Sequence, residues 1–276
     1  MYMEFIAIKM DGLGNDFVII DRRKENISLS NDQIIKICDR GFIGCDQLIF
    51  IKKDNNSDAE LEFYNSDGSK SGACGNGTRC VAYLLSNENN KKEINLSVNS
   101  KILKSKILEN NQVETSIGSP KVKWNEIPLS KDSNTKSLNL KLIDNENNEF
   151  NGGIAVNVGN PHVIFFVENI EKFNLKKIGP EIENHELFPE KCNVTLAKKI
   201  NSNLIKVKVW ERGAGLTKAC GTAACATAVA ANIENFANSK TEIEFSTGKL
   251  LVSIDEKNNI KMKGPVSEIK KIKINI

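Results

Sequence analysis

The chain carries two copies of one pattern. Gly14-Asn15 followed by Val18-Ile19 recurs as Gly159-Asn160 followed by Val163-Ile164, an offset of 145. Ala73-Cys74-Gly75 recurs as Ala219-Cys220-Gly221, an offset of 146. At that offset LEFYN (61–65) falls on VKVWE (207–211), and Gln47 falls on Asn193. Matches in one order at nearly one offset predict two domains of the same fold about a pseudo-twofold axis. A length of 276 residues suits two ordinary domains. The pattern breaks near 118–124, at GSPKVKW.

Periodicity and turn residues supply the elements. FIAIKM (5–10) and DFVIID (16–21) read as strands around the turn DGLGN. Residues 30–41 read as a helix with Ser30 or Asn31 as N-cap and Gly41 as its stop. Short strands follow at DQLIFI and ELEFYN, then a helix opening just after Cys74-Gly75, then strands at INLSV, SKILEN and VETSIG. The polar stretch 130–151 reads as a hairpin with long turns. GIAVN, HVIFFVE and LIKVKVWE read as strands, 170–184 as helical in part, and 222–238 as a helix of small residues. Strand-like runs at 241–246, 249–254, 259–263 and 268–275 follow.

Composition removes several function classes. The net charge of +3 is mild, and the lysines are scattered among acids, which argues against a nucleic-acid partner. No segment reads as a signal peptide, and no apolar run approaches the roughly 18 residues of a membrane helix. A cytoplasmic protein without a membrane partner is expected. Seven cysteines, an odd number, then predict free thiols rather than a disulfide framework.

Of those seven, Cys38, Cys45, Cys80, Cys192 and Cys225 read as core filler. SGACGNGTRC (71–80) carries the chemistry. Five residues separate Cys74 from Cys80 and four separate Cys220 from Cys225, which does not make a zinc knuckle, and only two histidines exist. No metal is expected. The P-loop reading fails because Thr78 stands where lysine is required, and GLGNDF has Phe17 in place of the third glycine of a dinucleotide fingerprint. Arg79 lies five residues after Cys74, one short of the spacing of a cysteine phosphatase.

A reactive thiol remains. A cysteine at a helix start feels the positive end of the dipole and nearby free N–H groups. Gly75, Asn76, Gly221 and Thr222 are small or N-cap-like, so their N–H groups suit a ligand carboxylate. Two such sites facing each other suit inversion of a carbon, with a thiolate removing a proton from one face and a thiol supplying one to the other.

MDGLGNDFVIID, NSDGSKSGACGNGTRC, GNPHV, FPEKCNV and WERGAGLTKACGTAACA, in this order and spacing, resemble the motifs of the diaminopimelate epimerase family over nearly the whole chain. The resemblance implies interconversion of LL- and meso-2,6-diaminopimelate, an amino-acid substrate, without cofactor or metal, in lysine and peptidoglycan synthesis. It implies an α/β (α+β) fold of two similar domains, each a curved, mostly antiparallel sheet around a central helix. The active site would lie in the cleft between them. The N-terminal domain would span 1–120, joined by a returning strand at 265–276, and the C-terminal domain 121–264. A homodimer is expected.

Carried over residue by residue, the resemblance makes Cys74 and Cys220 the catalytic acid and base, with His162 and Glu211 tuning them. Gly75-Asn76 and Gly221-Thr222 would hold the α-carboxylate. Asn15, Gln47, Asn65, Asn160, Asn193, Glu211 and Arg212 would line the substrate site, with Arg212 on the distal carboxylate. Asp11 departs from the family's usual histidine and Ala223 from its usual glycine. The related proline and hydroxyproline racemases are the alternative. They typically carry Cys-Gly-His, whereas this chain has Cys74-Gly75-Asn76.

Overall fold

Ser30 shows how locally the elements are determined. Its hydroxyl accepts from the Gln33 N–H at 3.3 Å, while the Gln33 side chain accepts from the Ser30 N–H at 2.9 Å. This reciprocal cap starts helix α1, Asn31–Cys38. In the computed structural model, residues 3–72 and 74–276 are described, so the Ala73 member of the repeat lies outside them. Helix α1 ends before Gly41, the expected stop. The Asp39 carboxylate accepts from the Gly41 N–H at 2.8 Å and turns the chain early.

The chain divides into two compact units, Met1–Ser116 with Lys263–Ile276, and Ile117–Met262. In the first, Glu4–Asp11 lies antiparallel to Asp16–Asp21, which runs parallel to Gln47–Lys52. Gln47–Lys52 is antiparallel to Ala59–Asn65, which in turn pairs antiparallel with Lys70–Ser71 and parallel with Glu93–Val98. Lys101–Ile107 and Gln112–Gly118 continue antiparallel. Lys270–Asn275 pairs with the other edge of Glu4–Asp11.

The second unit repeats this order. Ile154–Asn157 is antiparallel to Pro161–Phe166, which is parallel to Asn193–Asn201. Asn193–Asn201 is antiparallel to Leu204–Glu211, which pairs antiparallel with Gly215–Thr217 and parallel with Lys240–Phe245. Gly248–Ile254 follows antiparallel. The registers coincide as well. Phe17 faces Gln47 as His162 faces Asn193, and Phe63 faces Ser71 as Val209 faces Thr217. The repeat in sequence is therefore a repeat in hydrogen bonding, and each unit is a mixed, mostly antiparallel sheet.

Each sheet wraps a helix. Helix α2, Gly75–Asn89, buries Cys80, Val81, Ala82, Leu84 and Leu85 in a core with Phe17, Ile49 and Phe63. It stops at Asn90, whose left-handed φ of 52° suits asparagine. A Cβ at Gly77 would lie 2.8 Å from both Ile49 and Phe63, so glycine sets how closely this helix meets its sheet. Helix α3, Leu175–Glu183, packs beside Leu204–Glu211 in the second unit. Helix α4, Gly221–Ile233, is the second unit's counterpart of α2, and its alanines are buried among that unit's strands. It ends five residues before the expected limit of 238, with Glu234 as its cap and Asn235 left-handed just beyond.

The strand Asn193–Asn201 is absent from the sequence-based expectation. Residues 193–197 are buried on both faces, so alternation is missing there. The stretch 130–151 contains one separate hairpin, Leu140–Ile143 with Glu149–Gly152. Among the described residues, no helix is long and apolar enough to cross a membrane.

Candidate active site

Cys74 and Cys220 occupy the same backbone position in their units. Each is the N-cap of its central helix, with φ −138° and ψ 112° for Cys74 and φ −138° and ψ 117° for Cys220. An extended N-cap presents its side chain beside the first helical N–H groups, which have no partner within the helix. Gly75-Asn76 and Gly221-Thr222 begin those helices, and Gly75, Asn76 and Gly221 are buried. Each start is thus a thiol beside N–H groups suited to an anion.

In the first unit, Cys74 is half-buried and its thiol donates to Asn15 Oδ1 at 3.5 Å. Asn76 Nδ2 donates to the same oxygen at 3.4 Å, and Asn15 Nδ2 donates to Asp46 at 2.9 Å. The turn before Asn15 has Leu13 and Gly14 at positive φ, pinned by the Gly14 N–H donating to Asp11 at 2.9 Å. Asp11 therefore shapes the asparagine turn. Gln47 and Asn65 face each other across paired strands, with Gln47 Nε2 donating to Asn65 Oδ1 at 3.0 Å.

In the second unit, Cys220 is buried, and its thiol lies 3.4 Å from the Thr222 hydroxyl. Burial pushes the Cys220 thiol well up. The Glu211 charge raises it further, and bonds from Thr222 and the Ala223 N–H oppose the rise. His162 lies in the strand register opposite Asn193, and its Nε2 is 2.9 Å from Asn160 Oδ1. Burial, aided by the Arg212 charge, lowers the His162 imidazole to about 3. His162 is accordingly neutral near pH 7. Its buried Nδ1 has no hydrogen-bond partner among the described residues. Asn193 Nδ2 donates to the Pro161 carbonyl at 2.9 Å, and Asn193 Oδ1 accepts from the Arg212 N–H at 3.0 Å. The exposed Arg212 guanidinium donates to the Glu190 carbonyl at 2.7 Å.

The residues singled out from sequence divide between the two units. Asn15, Gln47, Asn65, Cys74, Gly75 and Asn76 belong to the first, and Asn160, His162, Asn193, Glu211, Arg212, Cys220, Gly221 and Thr222 to the second. Sequence reasoning missed Glu183. This buried residue accepts from Trp210 Nε1 at 2.7 Å and from the Gly213 N–H at 3.0 Å, fixing both sides of Glu211-Arg212. It also missed Asp46, which lies next to Gln47 but resembles any solvated acid. Cys38, Cys45, Cys80, Cys192 and Cys225 are buried. Among the described residues, no group of three or more His, Cys, Asp or Glu is placed to hold a metal.

Comparison with known proteins adds to this geometry. The family model for diaminopimelate epimerase matches residues 7–123 and 154–269. The chain belongs to the diaminopimelate epimerase family. The diaminopimelate epimerase of Pelagibacter ubique (strain HTCC1062) is 69% identical over 274 residues, covering 99% of this chain and 100% of that protein. That of Acidiphilium cryptum (strain JF-5) is 40% identical, covering 94% of this chain and 92% of its own. Solved structures extend the fold beyond the family. A hydroxyproline epimerase from Agrobacterium vitis has a TM-score of 0.69 at 9% identity, covering 99% of this chain and 93% of that one. A phenazine biosynthesis protein of the PhzF family from Bacillus anthracis has a TM-score of 0.65 at 14% identity, covering 99% and 100%. At such identities these two structures share the fold with this diaminopimelate epimerase family member.

Proposed function

We propose that the protein interconverts LL- and meso-2,6-diaminopimelate by direct proton transfer, with Cys74 and Cys220 as the two transferring groups. The observation that carries this reading is the pair of cysteines at equivalent helix N-caps, in a chain 69% identical to a diaminopimelate epimerase. Epimerisation replaces the α-hydrogen of one stereocentre, so one group must take a proton and another must return one to the opposite face. In one direction the Cys220 sulfur takes the α-proton while the Cys74 thiol delivers its own. The roles exchange in reverse.

Cys220 would not be a thiolate by itself, because burial opposes the charge. The neighbouring Glu211 carboxylate supplies the missing base. A proton shared between Cys220 and Glu211 leaves the sulfur free to attack when it rests on the carboxylate. The helix-start N–H groups of Gly75-Asn76 and Gly221-Thr222 hold the α-carboxylate and stabilise the charge that develops on deprotonation. Arg212 pairs with the distal carboxylate. Asn15, Gln47, Asn65, Asn160 and Asn193 supply the fixed donors and acceptors of the substrate site. His162 contributes as a neutral imidazole. No cofactor enters this scheme. The reaction serves lysine and peptidoglycan synthesis, in the cytoplasm, and the working protein is a homodimer.

The test is incubation of reduced protein with LL-diaminopimelate in heavy water, without added cofactor. Deuterium should enter the α-position and the meso isomer should accumulate, while proline offered in its place exchanges nothing. Retention of full exchange in a Cys74→Ala/Cys220→Ala variant would sink the reading.

A further inference from the structure

The two halves repeat each other at the thiols but not behind them. In the first unit, the Arg40 guanidinium donates to Asp16 at 2.7 and 2.8 Å and to Asp46 at 2.6 Å. Asp46 in turn accepts from Asn15 Nδ2 at 2.9 Å and from the Asp16 N–H at 3.1 Å. At the repeat offset, Pro161 stands for Asp16, Glu186 for Arg40 and Cys192 for Asp46. The second copy therefore lacks this ion cluster.

The cluster has a consequence for the Asn15 amide. A carboxylate only accepts, so the end of the amide that meets Asp46 must be NH2, and the end that meets Cys74 must be the carbonyl. Asn76 Nδ2 donates to that same carbonyl, in agreement. A carbonyl oxygen can take a hydrogen bond from a thiol but only repels a thiolate.

We propose that Asp46, held by Arg40, is a positioning residue: by fixing the Asn15 amide with its oxygen toward Cys74, it keeps Cys74 in the protonated, proton-donating form. The proposal rests on the assignment of Cys74 as a proton-transferring group.

Other charges act on the same thiol. The start of α2 favours the thiolate, while the Asp46 carboxylate behind Asn15 favours the thiol. Lys9 lies 3.4 Å from Asp16 and, with Arg40, tempers that carboxylate. The amide oxygen is in direct contact with the sulfur, whereas Asp46 reaches it through Asn15. Cys220 has a different arrangement, with a hydroxyl that can donate or accept at 3.4 Å and the Glu211 carboxylate beside it. The resting difference between donor and acceptor thus arises where the two copies diverged.

The experiment is alkylation by iodoacetamide across pH 6–10, read by mass spectrometry. Trypsin cleaves after Lys70 and Arg79, so Cys74 sits alone in the peptide Ser71–Arg79. In Asp46→Asn, one amide replaces two acceptors. With its oxygen kept on Arg40, its NH2 faces Asn15 and turns that amide over at the expense of the Asp16 N–H bond, placing NH2 against the Cys74 sulfur and against Asn76, whose Oδ1 turns to accept it. The pH of half-maximal labelling should fall by about one unit, so labelling at pH 7 should rise about tenfold. Loss of the Asp46 charge alone would act in the same direction, but 1 M salt screens an exposed charge beyond about 3 Å. The acceleration should persist in 1 M NaCl.

An unchanged profile, or an acceleration that vanishes in salt, overturns the proposal. Arg40→Ala is the second variant and does not depend on the first folding. It frees Asp46 to rotate and should also quicken labelling, whereas loss of a cation by itself would slow it, and slower labelling overturns the proposal too. Labelling needs no turnover, so these results stand apart from the heavy-water test of the reaction.

Discussion

Acidification should weaken the second unit through one side chain. His162 is fully buried and its imidazole is lowered from 6.5 to about 3, so the native state refuses a proton that the unfolded chain accepts. A base depressed in this way costs nothing above the unfolded value. Its penalty grows as pH falls below 6.5 and levels off below about 3. Between pH 7 and pH 5 the unfolded imidazole becomes almost fully protonated while the native one stays neutral. At about 1.36 kcal/mol per pH unit below the unfolded value, that interval removes about 2 kcal/mol of stability. Ordinary carboxylates titrate lower, so the interval is nearly free of them.

Both tryptophans, Trp124 and Trp210, lie in the second unit, so urea unfolding followed by tryptophan fluorescence reports the same unit. Wild type should lose about 2 kcal/mol more than His162→Gln between pH 7 and 5. Equal losses in the two proteins, or a native His162 resonance titrating near 6.5 in NMR, would refute the reasoning.

Two glycines give sharper mechanical tests. A Cβ at Gly179 on α3 would lie 2.4 Å from the Trp210 ring. Gly179→Ala should therefore destabilise by about 3 kcal/mol or more, visible as a lowered melting midpoint and altered tryptophan fluorescence. Gly77→Ala adds a better helix former to α2 but drives its Cβ to 2.8 Å from Ile49 and Phe63. The packing cost should exceed the propensity gain of about 1 kcal/mol, and a raised melting midpoint would count against it.

The repeat was legible because it lies in residues whose conformation is local. Gly14 and Gly159 sit at positive φ, and each cysteine opens a helix from a glycine-rich turn. Such constraints leave marks in a few consecutive letters. The matched positions of Asn15 with Asn160 and of Cys74 with Cys220 were read from them, whereas the roles of these residues and of the other site residues came from the family resemblance. Asn193–Asn201 escaped because a strand covered on both faces has no alternation to read. Glu183 and Asp46 escaped for another reason. Each acts through partners 27 to 31 residues away, Trp210 and Asn15, and nothing in a single acid's neighbours marks it as buried or bridging. The end of α1 depended on one side-chain bond at Asp39, a detail that composition does not reveal.

The pairing of Glu4–Asp11 with Lys270–Asn275 orders events during synthesis. A ribosome delivers residues 4–11 early and 270–275 more than 250 residues later. Until then one edge of the first sheet has open N–H and C=O groups, a template for unwanted pairing. The intervening unit, Ile117–Met262, is contiguous and has its whole core available earlier. The half that begins first is thus the half completed last, and its nascent edge is where a chaperone would be of most use.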